Sequence, residues 1–315
     1  MTLLRTAVVG AGYLGRFHAQ KYAAHPGCEL IGVVDVDLPR AKAIAEELDC
    51  QALSAIHALP GQVDAVSLAA PTRLHHELGL TLLEAGLHVL IEKPMTVTVA
   101  EAESLITAAD KHDCVLQVGH LERFNPAVVA AAALIDSPLF IESHRIAPFN
   151  PRGADVSVVL DLMIHDIDLI LELVNAELVA MDASGAAVIS EDIDIANARL
   201  RFANGCVANV TASRVSPRAE RRMRVFQRNA YLSLDLQNGT LDIQKRDPKA
   251  SGAPTMAQIV HERLEPGRND ALADEIASFL TTIQNKTQPV VTGQDGKRAL
   301  AAAIEISRQL TENTQ

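Results

Sequence analysis

The chain has 315 residues, 48% of them apolar, no tryptophan and a formal net charge of −11. That length favours two domains, the apolar content can fill a sizeable core, and the negative charge argues against nonspecific nucleic-acid binding. The four cysteines (Cys28, Cys50, Cys114, Cys206) show no CxxC or Cys/His metal spacing, which is expected of reduced thiols in a cytoplasmic protein; no apolar run has the length of a membrane span. The start, MTLLRTAVVG, runs straight into a strand and does not read as a signal peptide.

In chain order, Thr6–Val9 is an apolar strand, followed by Gly10-Ala11-Gly12-Tyr13-Leu14-Gly15 and a helical stretch, Arg16–Ala24. This is GxGxxG in strand-turn-helix context, a dinucleotide fingerprint. Gly10 permits the tight turn, Gly12 lets a pyrophosphate approach the backbone, and Gly15 lets the helix pack on the strand. The second strand, Leu30–Val34, ends in Asp35, 20 residues past Gly15. A carboxylate there accepts from ribose hydroxyls and repels a 2′-phosphate, which favours NAD over NADP, although Arg40 lies close enough to temper that preference.

Further elements alternate: a helix at about Pro39–Leu48, a short strand near Gln51, a brief helix near Ile56, a strand at Asp64–Ala69, and a helix at Leu74–Ala85. A strand from His88 to Ile91 then ends at Glu92-Lys93-Pro94, with a helix at Val99–His112 and a strand at Val115–Val118 beyond it. This order predicts a doubly wound parallel sheet, a Rossmann-type α/β domain over residues 1–120. Glu92-Lys93-Pro94 stands at the carboxyl end of a sheet strand, where ligands bind in such folds. A lysine held there can exchange a proton with a substrate hydroxyl while hydride leaves the same carbon; Glu92 can orient it and Pro94 ends the strand.

From about Phe140 the pattern changes. Strands are predicted at Leu139–Ile146, Ala196–Phe202, Val207–Arg214, Arg222–Phe226, Leu232–Leu236 and Leu241–Ile243, with Asn204-Gly205 and Asn238-Gly239 marking hairpins. Ala196, Ala198, Leu200 and Phe202 alternate with Asn197, Arg199 and Arg201, as in a sheet with one apolar and one basic face. Residues 121–315 are therefore expected to form an α+β domain with an open antiparallel sheet, closing with helices at about Asp270–Ile283 and Gly296–Leu310. The uncovered sheet face suggests a homodimer or homotetramer.

One helix of that half, Val158–Leu173, carries Asp161, His165, Asp168 and Glu172 on one face of an otherwise apolar stretch. Three readings compete: a solvated face, a metal site of two carboxylates and a histidine, and a catalytic face. With no second ligand cluster in the chain, no metal is assigned, and the catalytic face with His165 and Asp161 is preferred.

The arrangement of GAGYLG, Asp35, APTRLHH at 70–76, GLHVLIEKP, the Asp161-to-His165 helix and the late TGQDGKRAL resembles the glucose-fructose oxidoreductase / inositol dehydrogenase (Gfo/Idh/MocA) family over essentially the whole chain. The resemblance implies that Lys93 lies near nicotinamide and substrate, that His165 is the acid/base with Asp161 as its helper, and that Ala70, Pro71, Thr72 and His75 line the cofactor. Two departures stand out: Thr72 replaces a frequent asparagine, and Gly153-Ala154-Asp155-Val156-Ser157 replaces a glycine-rich segment before the catalytic helix. VGHLERFNP at 118–126 and VVLDLMIHDIDLI at 158–170 are similar to the branch that oxidises the 3-hydroxyl of UDP-N-acetylglucosamine and supplies a PLP-dependent aminotransferase making 3-amino sugars for surface glycolipids.

For such a sugar nucleotide, Glu122, Arg123, Asn125, Arg214 and Arg222, with Arg218, Arg221 and Arg224, are the candidates at the substrate and its diphosphate. Strand-surface solvation or a subunit contact is the bland alternative for the arginine cluster. His18 and His76 are expected at the surface or the cofactor edge, and His120 falls where the two domains join. The rival functions are a dehydrogenase for a free sugar, polyol or tetrapyrrole, and a non-catalytic NAD-dependent sensor.

Overall fold

The computed structural model describes residues 3–149, 157–247, 249, 252, 255–267 and 269–312. The chain divides into two compact units, one of residues 1–121 and 270–300, the other of 122–269 and 301–315.

The first unit begins with β1 (Leu4–Val9), α1 (Tyr13–Ala24), β2 (Cys28–Val34), α2 (Leu38–Leu48) and β3 (Gln51–Leu53). It continues with β4 (Ala65–Leu68), α3 (His75–Glu84), β5 (His88–Glu92), α4 (Val99–Lys111) and β6 (Leu116–Gly119). The strands form one parallel sheet in the order β3-β2-β1-β4-β5-β6. This is the doubly wound Rossmann order, and its direction reverses between β1 and β4, so the ligand crevice lies at the carboxyl ends of those strands. The central strands are buried end to end, with Ala65, Val66, Ser67 and Leu68 all inaccessible, because helices cover a parallel sheet on both faces.

The second unit holds α5 (Pro126–Ala132), β7 (Phe140–Ile146), α6 (Ile164–Val174), β8 (Leu178–Ala186), β9 (Ile195–Phe202) and β10 (Val207–Ser213). Next come β11 (Glu220–Gln227), β12 (Ala230–Asp235), β13 (Thr240–Arg246) and β14 (Ile259–Leu264). Its sheet runs β14-β13-β12-β11-β7-β10-β9-β8. Every pairing is antiparallel except β7 with β10, which is parallel, so the sheet is mixed rather than purely antiparallel. On β9 the expected alternation holds: Ala196, Ala198, Leu200 and Phe202 are buried while Asn197, Arg199 and Arg201 are exposed. On the exposed face, Arg199 Nη1 donates to Asn209 Oδ1 at 3.0 Å and Asn197 Nδ2 to Thr211 Oγ1 at 2.8 Å, so polar cross-strand pairs line it. Helix α6 packs on β7 and β10, and α5 on β12 and β13.

The chain closes with α7 (Ala271–Asn285) and α8 (Gly293–Glu312), and the division between the units falls within α8. Residues 270–300, expected with the second domain, therefore cluster with the first unit. The cause is apolar: Ile276, Phe279, Leu280 and Ile283 of α7 join Val8, Tyr22, Val33 and Leu90 in one buried core.

Among the described strands and α-helices, three had no counterpart in the sequence reading. The edge strands β8 and β14 are mostly exposed and so lack an apolar alternation, and α5 has only seven residues. The helix expected over 158–173 is a π turn at Val159–Met163 continued by α6. A π turn closes i→i+5 bonds and often marks a functional site; here it breaks the single straight polar stripe expected from α-helical spacing. Residues 153–156 of the segment before it lie outside the described residues.

Candidate active site

The nucleotide end of the first unit is built from β1, β2 and β4. Gly10, at φ 103°, donates its N–H to Val34 O at 2.8 Å and carries the chain across the top of the sheet. A methyl group at Gly15 would stand 1.7 Å from Gly10 O, so only glycine lets α1 start this close to β1. At Gly12 the space a Cβ would take has no heavy atom within 4 Å, which leaves the amino end of α1 open to a pyrophosphate. Asp35 follows β2; Oδ2 accepts from the Ala11 amide at 2.6 Å and Oδ1 from the Asp37 amide at 2.8 Å. The carboxylate thus braces the glycine turn at the position where it can also meet ribose hydroxyls. Arg40 is engaged with Asp37 at 3.4 Å, which draws its charge toward an acid rather than toward a 2′-phosphate. Tyr13, 80% exposed, Leu14 and Phe17 form an apolar rim at the start of α1, with Tyr13 and Phe17 edge to face at 4.9 Å. These residues fit a dinucleotide.

Beyond β4, Ala70 and Pro71 lead into a 3₁₀ turn at Thr72–Leu74. His75 was expected to line the cofactor. It is buried, with Nε2 2.7 Å from Ala70 O and Nδ1 3.0 Å from Pro94 O, tying together the two segments that border the crevice. Burial lowers its pKa, against the pull of those two carbonyls.

Lys93 is half-buried at the end of β5, and its bond to Pro94 is cis. Glu92 Oε2 accepts from the Lys93 amide at 3.3 Å and Oε1 lies 2.8 Å from His18 Nε2. Burial would raise the Glu92 pKa, but His18, by hydrogen bond and charge, and Lys93 hold it below the usual carboxylate range. His18 was expected at the surface or cofactor edge; it is fully buried, its Nδ1 3.0 Å from Ser67 Oγ, which in turn lies 2.8 Å from the Tyr22 hydroxyl. The signal was present in the sequence. Gly15, His18 and Tyr22 are spaced i, i+3 and i+7 on the helix face that glycine commits to the sheet.

In the second unit, Asp161 sits on the π turn and His165 in the first turn of α6, both half-buried. The other two acids of the expected stripe have a separate task. Asp168 receives Arg123 through a bidentate pair, Nε–Oδ2 2.6 Å and Nη2–Oδ1 2.9 Å, and Glu172 receives Arg123 Nη1 at 2.9 Å. Asp166 binds Arg145 Nε at 2.7 Å and Ser143 Oγ at 2.9 Å, while Arg145 Nη1 reaches Glu122 Oε1 at 2.8 Å. Burial would depress the Arg145 pKa, but Asp166 and Glu122 outweigh it and raise it. Asn125 caps α5 through the Ala127 amide at 3.0 Å and donates to Glu122 Oε2 at 3.0 Å and Leu236 O at 2.8 Å.

Several expected substrate residues are thereby committed within the protein. Arg123 is buried between two acids, Glu122 and Asn125 belong to the Arg145 network, and Arg214 is buried against Asp194 (Nε–Oδ1 2.9 Å) and Ser190 Oγ (3.1 Å). Asp194 also accepts the Val188, Ile189 and Ser190 amides; burial would raise its pKa, but these bonds and the Ser190 hydroxyl hold it well below the ordinary range. A desolvated guanidinium in a bidentate pair has little left for a diphosphate. Arg222 differs. With Arg218, Arg221, Asp235, Gln237 and Asn238 it lines an open pocket of about 360 Å³.

Residues 4–120 match the model of an oxidoreductase family with an NAD-binding Rossmann fold, and residues 142–233 match the GFO/IDH/MocA C-terminal domain. The chain is 42% identical to UDP-N-acetylglucosamine 3-dehydrogenase of Acidithiobacillus ferrooxidans over 97% of both proteins. A solved structure of that enzyme superposes with a TM-score of 0.93 at 41% identity, covering 100% of both chains. Myo-inositol 2-dehydrogenase of Thermotoga maritima is more distant, 25% identical over 98% of this chain and 97% of the relative. Among the described residues no helix is long and apolar enough to cross a membrane.

Proposed function

The chain belongs to the Gfo/Idh/MocA family of NAD-dependent oxidoreductases, and from that premise we propose that it oxidises the 3-hydroxyl of UDP-N-acetylglucosamine to the 3-keto sugar nucleotide. The observation that carries this reading is 42% identity along 97% of both chains to an enzyme of that specificity.

NAD, when bound, accepts the hydride from the carbinol carbon. The protein's part is to hold that carbon and take the hydroxyl proton. In this reading Gly10, Gly12 and Gly15 admit the pyrophosphate, Asp35 meets the adenosine ribose, and Tyr13, Leu14, Ala70, Pro71 and Thr72 border the cofactor. Lys93 stands by the reacting hydroxyl, with Glu92 fixing its backbone. His165 takes the proton as general base, and Asp161, one turn earlier, orients the ring. The second unit binds the sugar, and the Arg218–Arg221–Arg222 pocket takes the UDP end.

The product is a ketone that a PLP-dependent aminotransferase would consume on the way to a 3-amino sugar for lipid A or another surface glycan, and both steps belong in the cytoplasm. Assembly through the polar sheet face of β9 and β10 gives a homodimer or homotetramer; a monomer by light scattering at micromolar concentration would remove that part. Incubation with NAD and UDP-N-acetylglucosamine, UDP-glucose, free glucose or inositol, followed through NADH absorbance, tests the substrate. Turnover of inositol with none of the sugar nucleotides would favour the polyol reading, and no turnover of any hydroxyl would favour the sensor.

A further inference from the structure

Glu275 lies on α7, wholly inaccessible, and neither of its carboxylate oxygens has a hydrogen-bond partner among the described residues. It faces a crowded set of titratable groups. A ligating atom each from Glu275, Glu92 of β5 and His18 of α1 all lie within 4.8 Å of one another, and Tyr22 of α1 and Lys93 after β5 stand next to this group. Gln117 of β6 approaches too, but its Nε2 donates to the Glu275 backbone oxygen at 3.3 Å and leaves the carboxyl alone.

A bare carboxylate with no donor, in a dry site beside a second carboxylate, carries a cost of several kcal/mol that protonation removes. Burial, and then the Glu92 charge, raise the Glu275 pKa well above the ordinary value of 4.5, whereas Glu92 is held below it by His18 and Lys93. The proton of this coupled pair therefore resides on Glu275.

We propose that Glu275 is a positioning residue: it stays a neutral carboxylic acid, so that one negative charge and not two stands behind Lys93, localised on the Glu92 oxygens that meet His18 and the Lys93 amide. A second charge would favour the lysine ammonium and oppose any proton exchange there. The consequence for Lys93 rests on the reading of it as an acid/base group. The protonation of Glu275 does not, and it can be measured on an inactive protein.

The sign of the pH dependence separates this proposal from its rivals. A carboxyl whose folded pKa is raised binds more protons folded than unfolded, so stability falls as pH rises from the unfolded value toward the folded one. Wild type should therefore lose thermal stability relative to Glu275→Gln as pH rises above the ordinary glutamate value of 4.5, with the gap widening upward. Carbon-13 NMR of wild type labelled at glutamate carboxyls should show one buried carboxyl still protonated at neutral pH, which needs no variant to fold. The kcat/KM profile of Glu275→Gln should extend further to alkaline pH than that of wild type. A Glu275→Gln protein less stable than wild type at every pH, the absence of a protonated glutamate, or a stoichiometric divalent metal lost with Glu275 would each overturn the proposal, the last by making His18, Glu92 and Glu275 ligands.

Discussion

Two buried clusters of carboxylates, one in each unit, reach opposite electrostatic solutions. In the second unit Asp166, Asp168 and Glu122 are neutralised by Arg145 and Arg123 through short, partly bidentate bonds, and Asp194 by Arg214 and three amides. In the first, Glu275 stands beside another acid, and its oxygens meet no hydrogen-bond donor among the described residues. The same functional group thus meets guanidinium donors in one place and a second carboxylate in the other. What differs is the partner the fold delivers: guanidinium donors compensate the lost water, whereas a second carboxylate adds repulsion to desolvation. The paired cluster suits a scaffold, and the unpaired one suits a place where charge must be adjusted.

The sharpest way to break this contrast is Arg145→Met. It leaves Asp166 and Glu122 buried without their cation and should cost about 3–5 kcal/mol, read from urea unfolding at neutral pH. A loss under about 1 kcal/mol would mean that the network contributes no more than a surface pair. The expected direction is opposite to that for Glu275→Gln, so the two variants measured together test the comparison itself.

Next is Lys93→Met, of similar length and uncharged. It should lower kcat by about 10²-fold or more with little change in NAD affinity, since the acid/base group is removed and the glycine turn is not. Full turnover would dissociate the cluster behind Lys93 from catalysis. For Asp35→Ala the expected outcome is a preference for NAD over NADP narrowed by about tenfold in Kd, equivalent to about 1.4 kcal/mol, because a ribose acceptor and a repulsive charge are lost together. Tighter NADP binding to the unmodified protein would contradict the role given to Asp35. Smallest is Arg222→Ala, which should raise the KM for the sugar nucleotide by up to about fivefold, the size of an exposed charge contact near 1 kcal/mol. If alanine at 218, 221 and 222 each leaves KM unchanged, the pocket is not the UDP end.

The Rossmann unit was readable because its signals are local. GxGxxG, Asp35 and the Glu92-Lys93-Pro94 turn are each set by a few consecutive residues, and the structure puts all three at the carboxyl ends of β1, β2 and β5. Alternation on β9 likewise announced a one-sided sheet. The roles of polar residues were harder to read. Arg123 and Arg214 are cations next to promising motifs, and sequence spacing suits a diphosphate as well as it suits Asp168 or Asp194. Asp168 is 45 residues from Arg123, and Asp194 is 20 from Arg214. Glu275 carried a faint clue, a carboxylate on the same face as Leu272, Ile276 and Phe279, but nothing local indicates that Glu92 waits opposite it.

Sequence alone determined the class of cofactor fold, the glycine turn, the place of Lys93 and the two kinds of sheet, since these follow from backbone conformation and from periodicity over a few residues. Tertiary structure alone decided that α7 completes the first unit's core, that β7 and β10 run parallel, that Arg123 and Arg214 are internal struts, and that one buried glutamate meets no hydrogen-bond donor among the described residues. Those outcomes depend on which distant side chains share a desolvated volume. The charge of a buried group is set by those neighbours and not by the residues beside it in the chain.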